Sequence, residues 1–177
     1  MSTSGSTELE ELRRRLDRLE AREACVSTFN EYLHYLDADY VDDLIQVFAP
    51  DAELTVIDFP PGSGENLHFR GRAEIRPLYA AHDSGIGRHH SANVTVNPAA
   101  DAQSAELSAY FITSGPFNFG GGLYQIEMQP GAERWHFQRM SIISTWGWTV
   151  PTDAKPYLAK LLGDGAARGG RPVRYRK

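Results

Sequence analysis

The sequence predicts an α+β domain in which three N-terminal helices pack on the concave face of a cone-shaped, curved antiparallel sheet. Apolar residues recur at helical spacing before residue 83, whereas alternating strand-like stretches separated by turn signals follow residue 88. At 177 residues, with 41% hydrophobic and 23% charged content, the chain has the size and composition of one soluble domain.

The first helix is predicted from a long apolar stripe at steps of three and four residues. Its members are Leu9, Leu12, Leu16, Leu19, Val26, Phe29, Leu33 and Leu36. In residues 8–23 the stripe contains only leucine, so this half either covers another subunit or frays. Residues 24–36 are richer in aromatic side chains and are predicted to join the core.

The remaining elements follow from capping residues, alternation and turn signals. Asp39 is predicted to cap a second helix that Pro50 ends. The predicted helices cover residues 40–48 and 73–82, with one last helical turn or two at 155–162, and the predicted strands cover residues 53–59, 66–69, 88–97, 104–114, 123–129 and 134–149.

Composition also predicts the organisation and surroundings of the chain. Residues 1–6 are expected to be disordered, residues 7–162 to form one domain with a helical extension at 7–23, and residues 163–177 to form a basic flexible tail. The net charge of −5 argues against a nucleic-acid-binding surface, and no apolar run is long enough for a membrane span. Cys25 is the only cysteine, which excludes an internal disulfide and favours the cytoplasm.

A carboxylate and two histidines are the candidate acid/base groups. Asp37 ends the first helix, and His89 and His90 begin the strand at 88–97. A histidine held beside a carboxylate in a dry cavity is a ready proton acceptor. Alternation puts His90 on the core side with Val94 and favours it as the pocket histidine, but a bulge would exchange the faces. The plainer alternatives are a turn aspartate and ordinary core or surface histidines.

Other side chains could complete a pocket. Arg139 alternates with Trp135 and Phe137 on their predicted face, where its cation either stacks or faces a developing anion. Aromatic residues that could supply apolar walls are Phe117, Phe119, Tyr124, Trp146 and Trp148. Because neighbouring strand residues point apart, His89 and His90 do not predict a metal site.

Taken in order, five segments resemble the SnoaL-like branch of the nuclear transport factor two-like superfamily over residues 20–150. They are Tyr32 with Leu36-Asp37-Ala38-Asp39, Phe48-Ala49-Pro50-Asp51-Ala52, Phe69-Arg70-Gly71-Arg72, Arg88-His89-His90-x-x-Asn93 and Trp135-x-Phe137-x-x-Arg139. The resemblance implies a conical pocket and an Asp-His pair that works without a cofactor or metal, commonly in a trimer.

Carried onto this sequence, the resemblance implies catalytic roles for Asp37, His89 or His90, Tyr32 and Arg139. The chain departs from the pattern at Ser108-Ala109-Tyr110, where some dehydratases have another histidine or aspartate. Tyr110 or Tyr32 would then have to act as the acid for the leaving group.

The resulting hypothesis is a cofactor-independent lyase or isomerase, similar to a dehydratase, that acts on a hydrophobic polycyclic or polyketide-like substrate. Tyr110, Phe117, Tyr124 and Trp146 are the predicted substrate contacts. The expected assembly is a dimer or trimer of identical chains, with no nucleic-acid or membrane partner. A polyketide cyclase of the same fold and a ligand-binding module without catalysis are the two alternatives.

Overall fold

The computed structural model describes residues 3–59, 62–81, 88–115 and 118–149. Its elements in chain order are α1 (Thr3–Asp37), α2 (Val41–Leu44), a 3-10 turn (Ile45–Val47), β1 (Phe48–Ile57), β2 (Asn66–Arg70), α3 (Gly71–Ala80), β3 (Arg88–Pro98), β4 (Ala105–Ser114), β5 (Asn118–Pro130) and β6 (Trp135–Thr149). Phe117, the predicted last helical turns at 155–162 and the basic tail at 163–177 lie outside the described residues.

The α+β class and the three helices are confirmed, but the sheet is mixed rather than antiparallel. Its six strands lie in the order β2-β1-β6-β5-β4-β3. Strands β3 to β6 form the predicted antiparallel meander, whereas β1 runs parallel to β6. After β2 and α3 the chain enters the sheet at the far edge, and the meander then returns to β1. This pairing is non-local, so the alternation within each strand does not reveal it.

The core lies between the second half of α1 and the inner face of the sheet. Phe29 and Tyr32 are completely buried, and the Tyr32 ring packs edge-on against Phe48, Tyr124 and Phe137 at centroid distances of 5.5 to 6.2 Å. Aromatic pairs in such arrangements contribute beyond the area that they bury. The prediction that residues 24–36 join the core is correct.

The leucines of the first half of α1 do not continue this core face. Leu9, Leu12, Leu16 and Leu19 are 50% to 63% exposed. An α-helix turns by about 100° per residue, which places their mean direction roughly 160° from that of the buried face of residues 21–36. A single stripe from residue 9 to residue 36 is therefore wrong: at about 100° per residue, the 27 residues from Leu9 to Leu36 make about seven and a half turns, which puts these two side chains on opposite sides of the helix. The helix also begins at Thr3, within the segment expected to be disordered.

The end of α1 fixes the position of Asp37. The Tyr40 amide donates to the Tyr35 carbonyl at 2.9 Å, and the Asp39 amide donates to the Leu36 carbonyl at 3.3 Å. These two bonds, with Asp39 in the left-handed region at φ 55°, form a Schellman motif that ends the helix. Asp39 is thus the turn residue after α1 and not the predicted side-chain cap of α2, whose N-cap residue Tyr40 makes no side-chain capping bond. Asp37 is left as the last helical residue.

No described helix combines the length and the apolar character that a membrane span requires.

Candidate active site

Asp37 and His89 meet between the end of α1 and the beginning of β3. The Asp37 carboxylate Oδ1 lies 2.7 Å from Nδ1 of His89, and the His89 backbone amide donates to both carboxylate oxygens, at 3.1 and 3.2 Å. Each of the two side chains is only 11% exposed. The carboxylate therefore fixes both the ring and the backbone of His89.

The position of Asp37 at a helix end makes these contacts necessary. The last carbonyls of α1 give its C-terminus a partial negative charge, which disfavours a carboxylate and favours a cation. The backbone amide and Nδ1 of His89 contact the Asp37 carboxylate and offset this unfavourable interaction with the helix end.

Of the two histidines, His89 faces inward and His90 is exposed. This corrects the alternation argument, which favoured His90. The pairing of β3 with β4 shifts register between Ala92 and Thr95, and Asn93 has φ 52°. Asparagine tolerates this left-handed conformation better than most residues. The bulge puts His89 on the same face as the inward-pointing Val94 and Val96.

Three buried tyrosines lie beside the pair, deeper in the core. The hydroxyls of Tyr32 and Tyr79 share a hydrogen bond of 3.0 Å, and the rings of Tyr32 and Tyr124 pack edge-on with their centroids 6.1 Å apart. Burial is the main cause that raises the pKa of all three hydroxyls, and the charge of Asp37 raises those of Tyr32 and Tyr124 further. All three therefore stay protonated at neutral pH and can donate hydrogen bonds. Tyr79, which marks the third helix in the sequence, was not predicted as a site residue.

The inner face of the sheet next to His89 carries small side chains. His89 lies opposite Thr113, Thr113 opposite Gly120, and Gly120 opposite Gly147. Residues opposite one another in antiparallel strands share a face. A Cβ added at Gly120 would lie 3.3 Å from the Trp146 carbonyl oxygen, which is a tight contact. The inner face beside the imidazole is thus formed by two glycines and a threonine, which are small residues.

Arg139 does not face this interior. Phe137 and Met140 are buried, whereas the Arg139 side chain is 60% exposed and pairs with Glu127 at 2.8 Å and Glu53 at 3.4 Å. The predicted common face with Trp135 and Phe137 is wrong. The β5–β6 pairing shifts register between Glu127 and Met128, which inserts an extra β6 residue before Arg139 and turns its side chain outward.

The predicted substrate contacts divide between the two faces of the sheet. Tyr124 is buried on the inner face. Tyr110 is 57% exposed and Trp146 is 42% exposed, and both belong to the outer face. Tyr110 alternates with buried Ala109 and Phe111, and a second irregularity between Gly121 and Gly122 places Trp146 beside Phe119, 5.0 Å between ring centroids. Tyr110 and Trp146 therefore cannot contact a ligand at His89.

The chemistry available at Asp37 and His89 is proton transfer. When the ring is neutral and the carboxylate is ionised, the 2.7 Å bond requires the ring proton on Nδ1, which leaves the lone pair on Nε2. An imidazole in this tautomer, held by a carboxylate, is arranged as a general base. Within the described ranges, no group of three or more His, Cys, Asp or Glu side chains is arranged to hold a metal ion.

The fold and sequence were compared with known proteins. The SnoaL-like domain model matches residues 17–141. A solved structure of a candidate scytalone dehydratase from Novosphingobium aromaticivorans is similar at 17% identity and a TM-score of 0.60, covering 84% of this chain and 93% of that one. No curated protein matches this sequence.

Two further solved structures have the same fold. The hexachlorocyclohexane dehydrochlorinase LinA-type3 from Novosphingobium barchaimii is 19% identical with a TM-score of 0.63, covering 78% of this chain and 95% of that one. ActVI-ORFA from Streptomyces coelicolor is 14% identical with a TM-score of 0.55, covering 69% and 95%. At these identities the likeness to solved structures establishes the fold alone. The family is established by the SnoaL-like domain match, which covers well over half of the chain. This chain belongs to the SnoaL-like family of the nuclear transport factor two-like superfamily.

Proposed function

We propose that this protein is a cofactor-independent lyase or isomerase, similar to a dehydratase, in which Asp37 and His89 form the acid/base pair. The observation that carries the proposal is the 2.7 Å bond between Asp37 Oδ1 and His89 Nδ1, reinforced by the two contacts of the His89 amide. This arrangement presents Nε2 of a mostly buried imidazole beside a part of the sheet that is lined by glycine and threonine.

The proposed reaction is an elimination from a β-hydroxy carbonyl compound. Nε2 of His89 removes a proton from the carbon next to the carbonyl, and that electron pair forms the new C=C bond as the C–O bond to the hydroxyl breaks. The imidazolium, whose Nδ1–H remains bonded to Asp37, then gives its Nε2 proton to the departing hydroxide. The products are the unsaturated carbonyl compound and water, and the imidazole is restored without a redox partner.

Tyr32 is the proposed donor that supports charge on the substrate oxygen. Its pKa is raised mainly by burial, and its hydroxyl bonds to that of Tyr79 at 3.0 Å, so in this proposal the substrate oxygen takes the place of Tyr79 as its partner. A hydroxyl that stays protonated can donate to a developing oxyanion, and removal of such a donor typically costs 10²- to 10³-fold in turnover. Arg139 has no role in this proposal because it lies on the outer face.

The names of the structural neighbours agree with this class of reaction. A dehydratase and a dehydrochlorinase both remove a leaving group together with a proton, and both names occur among proteins with this fold. The substrate class proposed here, a hydrophobic polycyclic or polyketide-like molecule, is supported by the aromatic core around Tyr32, Phe111 and Tyr124 next to the pair.

The test compares His89→Gln and Asp37→Asn with the matched control His90→Gln. Polycyclic β-hydroxy ketones serve as the probe panel, and the conjugated ketone product is followed by its ultraviolet absorbance. His89→Gln and Asp37→Asn should each lower turnover by about 10²- to 10⁴-fold while the circular dichroism spectrum is unchanged. His90→Gln should retain wild-type turnover.

Two results would contradict the proposal. Equal losses in the His89 and His90 variants would show that the pairing with Asp37 does not select the base. No turnover by the wild-type protein across the panel, with tight binding of the same ketones, would favour a ligand-binding module instead.

A further inference from the structure

The first half of α1 presents an apolar surface that the rest of the described chain does not cover. Leu9, Leu12, Leu16 and Leu19 are each at least 50% exposed. Three of these four leucines precede residue 17, where the match to the family domain begins. The stripe therefore belongs to an extension of the domain and is not part of its core.

The geometry of α1 shows on which side a partner could lie. From Ala21 onward the helix is buried against the inner face of the sheet, through residues such as Cys25 and Phe29. The leucine stripe points roughly 160° away from that buried face, at about 100° per residue. Anything that covers the leucines consequently lies on the side of α1 opposite its own sheet, where the domain does not obstruct it.

The spacing of the leucines is that of a two-heptad coiled coil. Leu9 and Leu16 fall at a positions, and Leu12 and Leu19 fall at d positions. The ion pair between Arg14 and Glu11, 2.9 Å long, joins the f and c positions on the opposite, solvent-facing side of the helix. Apolar and charged residues are thus separated as they are in a coiled-coil strand.

The charges beside the seam select the occupant and its direction. In a parallel pair, each g residue faces the e residue five positions later on the other helix. Glu8 would then face Arg13, and Arg15 would face Glu20, so all four contacts of a symmetric pair are attractive. In an antiparallel pair overlapped over the same leucines, Arg15 would face its own copy.

We propose that residues 8–20 of α1 bind the same segment of a second copy of this chain as a parallel two-stranded coiled coil. The leucines form the seam, and the Glu8–Arg13 and Arg15–Glu20 contacts fix the parallel direction. The two domains lie on the outer flanks of the paired helices. This inference is independent of the chemistry at His89.

The first experiment measures the molar mass of the full chain by light scattering after size exclusion. Wild type should have about twice the 19.7 kDa mass of one chain. Leu16→Glu should be a monomer with an unchanged circular dichroism spectrum, because the replaced side chain is 54% exposed. The matched control Arg18→Glu, at the solvent-facing c position, should remain a dimer.

The second experiment tests the charge pairs. Arg13→Glu should raise the dimer dissociation constant by roughly tenfold, because it turns two attractive contacts into repulsive ones. Adding Glu8→Arg to that variant should restore the wild-type value. Failure of this rescue would overturn the assignment of facing pairs.

The third experiment determines the direction. Oxidised Leu9→Cys should form a covalent dimer, since the two position-9 side chains face each other in the parallel pair. In the antiparallel pair they would be about 15 Å apart along the axis, and no bridge would form. Cys25 will not compete, because it is buried and burial raises its pKa to about 12. A wild-type monomer, a three-chain mass, a dimer that Leu16→Glu leaves intact, or an uncrosslinked Leu9→Cys dimer would each overturn the proposal.

Discussion

The buried hydroxyls of Tyr32 and Tyr79 offer a quantitative test of the packing beside the acid/base pair. Their hydroxyls share a 3.0 Å bond. Tyr79→Phe and Tyr32→Phe each remove this bond and leave the other buried hydroxyl without it. Each variant should therefore lower the free energy of unfolding by about 1 to 3 kcal/mol.

The double variant distinguishes this arrangement from simple loss of packing. Once the Tyr32 hydroxyl is removed, the Tyr79 hydroxyl has lost this partner, and removing it as well should cost nothing more. Urea unfolding of the wild type and the three variants gives the coupling, which should be about 1 kcal/mol or larger. Additive costs in the double variant would show that the two hydroxyls do not depend on each other.

Three further predictions follow from the burial, contacts and charges of the described residues. Burial raises the pKa values of Tyr32, Tyr79 and Tyr124 above 10, so the unfolded chain loses these protons at a lower pH than the folded chain does. The free energy of unfolding should therefore be retained below pH 10 and should then fall by up to about 1.4 kcal/mol per pH unit for each hydroxyl. Urea unfolding at pH 9 to 11 would show this. Arg139→Ala should change the free energy of unfolding by less than about 1 kcal/mol and leave turnover intact, because the ion pairs of Arg139 with Glu127 and Glu53 are exposed. A 10²-fold loss of turnover would instead show that Arg139 acts in the active site. Gly122→Ala should lower the free energy of unfolding by at least about 2 kcal/mol in urea, because the new Cβ would collide with the backbone of the neighbouring strand. Gly120→Ala, in the same strand β5, should cost less. Equal costs would contradict the described backbone contact.

Much of the fold could be predicted because the patterns involved are local. Helical spacing over residues 24–36, turn signals between the strands and alternation within them predicted α1 and the meander that begins at β3. The parallel pairing of β1 with β6 could not be predicted in this way. It depends on where the chain re-enters the sheet after α3, a contact between strands distant in sequence.

The site was predicted residue by residue with unequal success, for a physical reason. Alternation predicts faces only as far as the next bulge, and bulges lie between these side chains and the residues used to assign their faces. These bulges are why strict alternation predicts the wrong face for both His90 and Arg139. The sequence did carry one signal, since Asn93 is a residue type suited to the left-handed conformation that it adopts. Asp37 needed no such inference, because the helix end itself positions it.

The tautomer of the His89 ring in solution is the most direct test of the pairing on which the account depends. Nitrogen-15 NMR of the histidine side chains should show His89 protonated at Nδ1 in the wild type, with a slowly exchanging proton, and should show that this preference is lost in Asp37→Asn. His90, being exposed, should show two rapidly exchanging tautomers in both proteins. If His89 behaves like His90 in the wild type, or if Asp37→Asn leaves its ring unchanged, the pair does not exist as described.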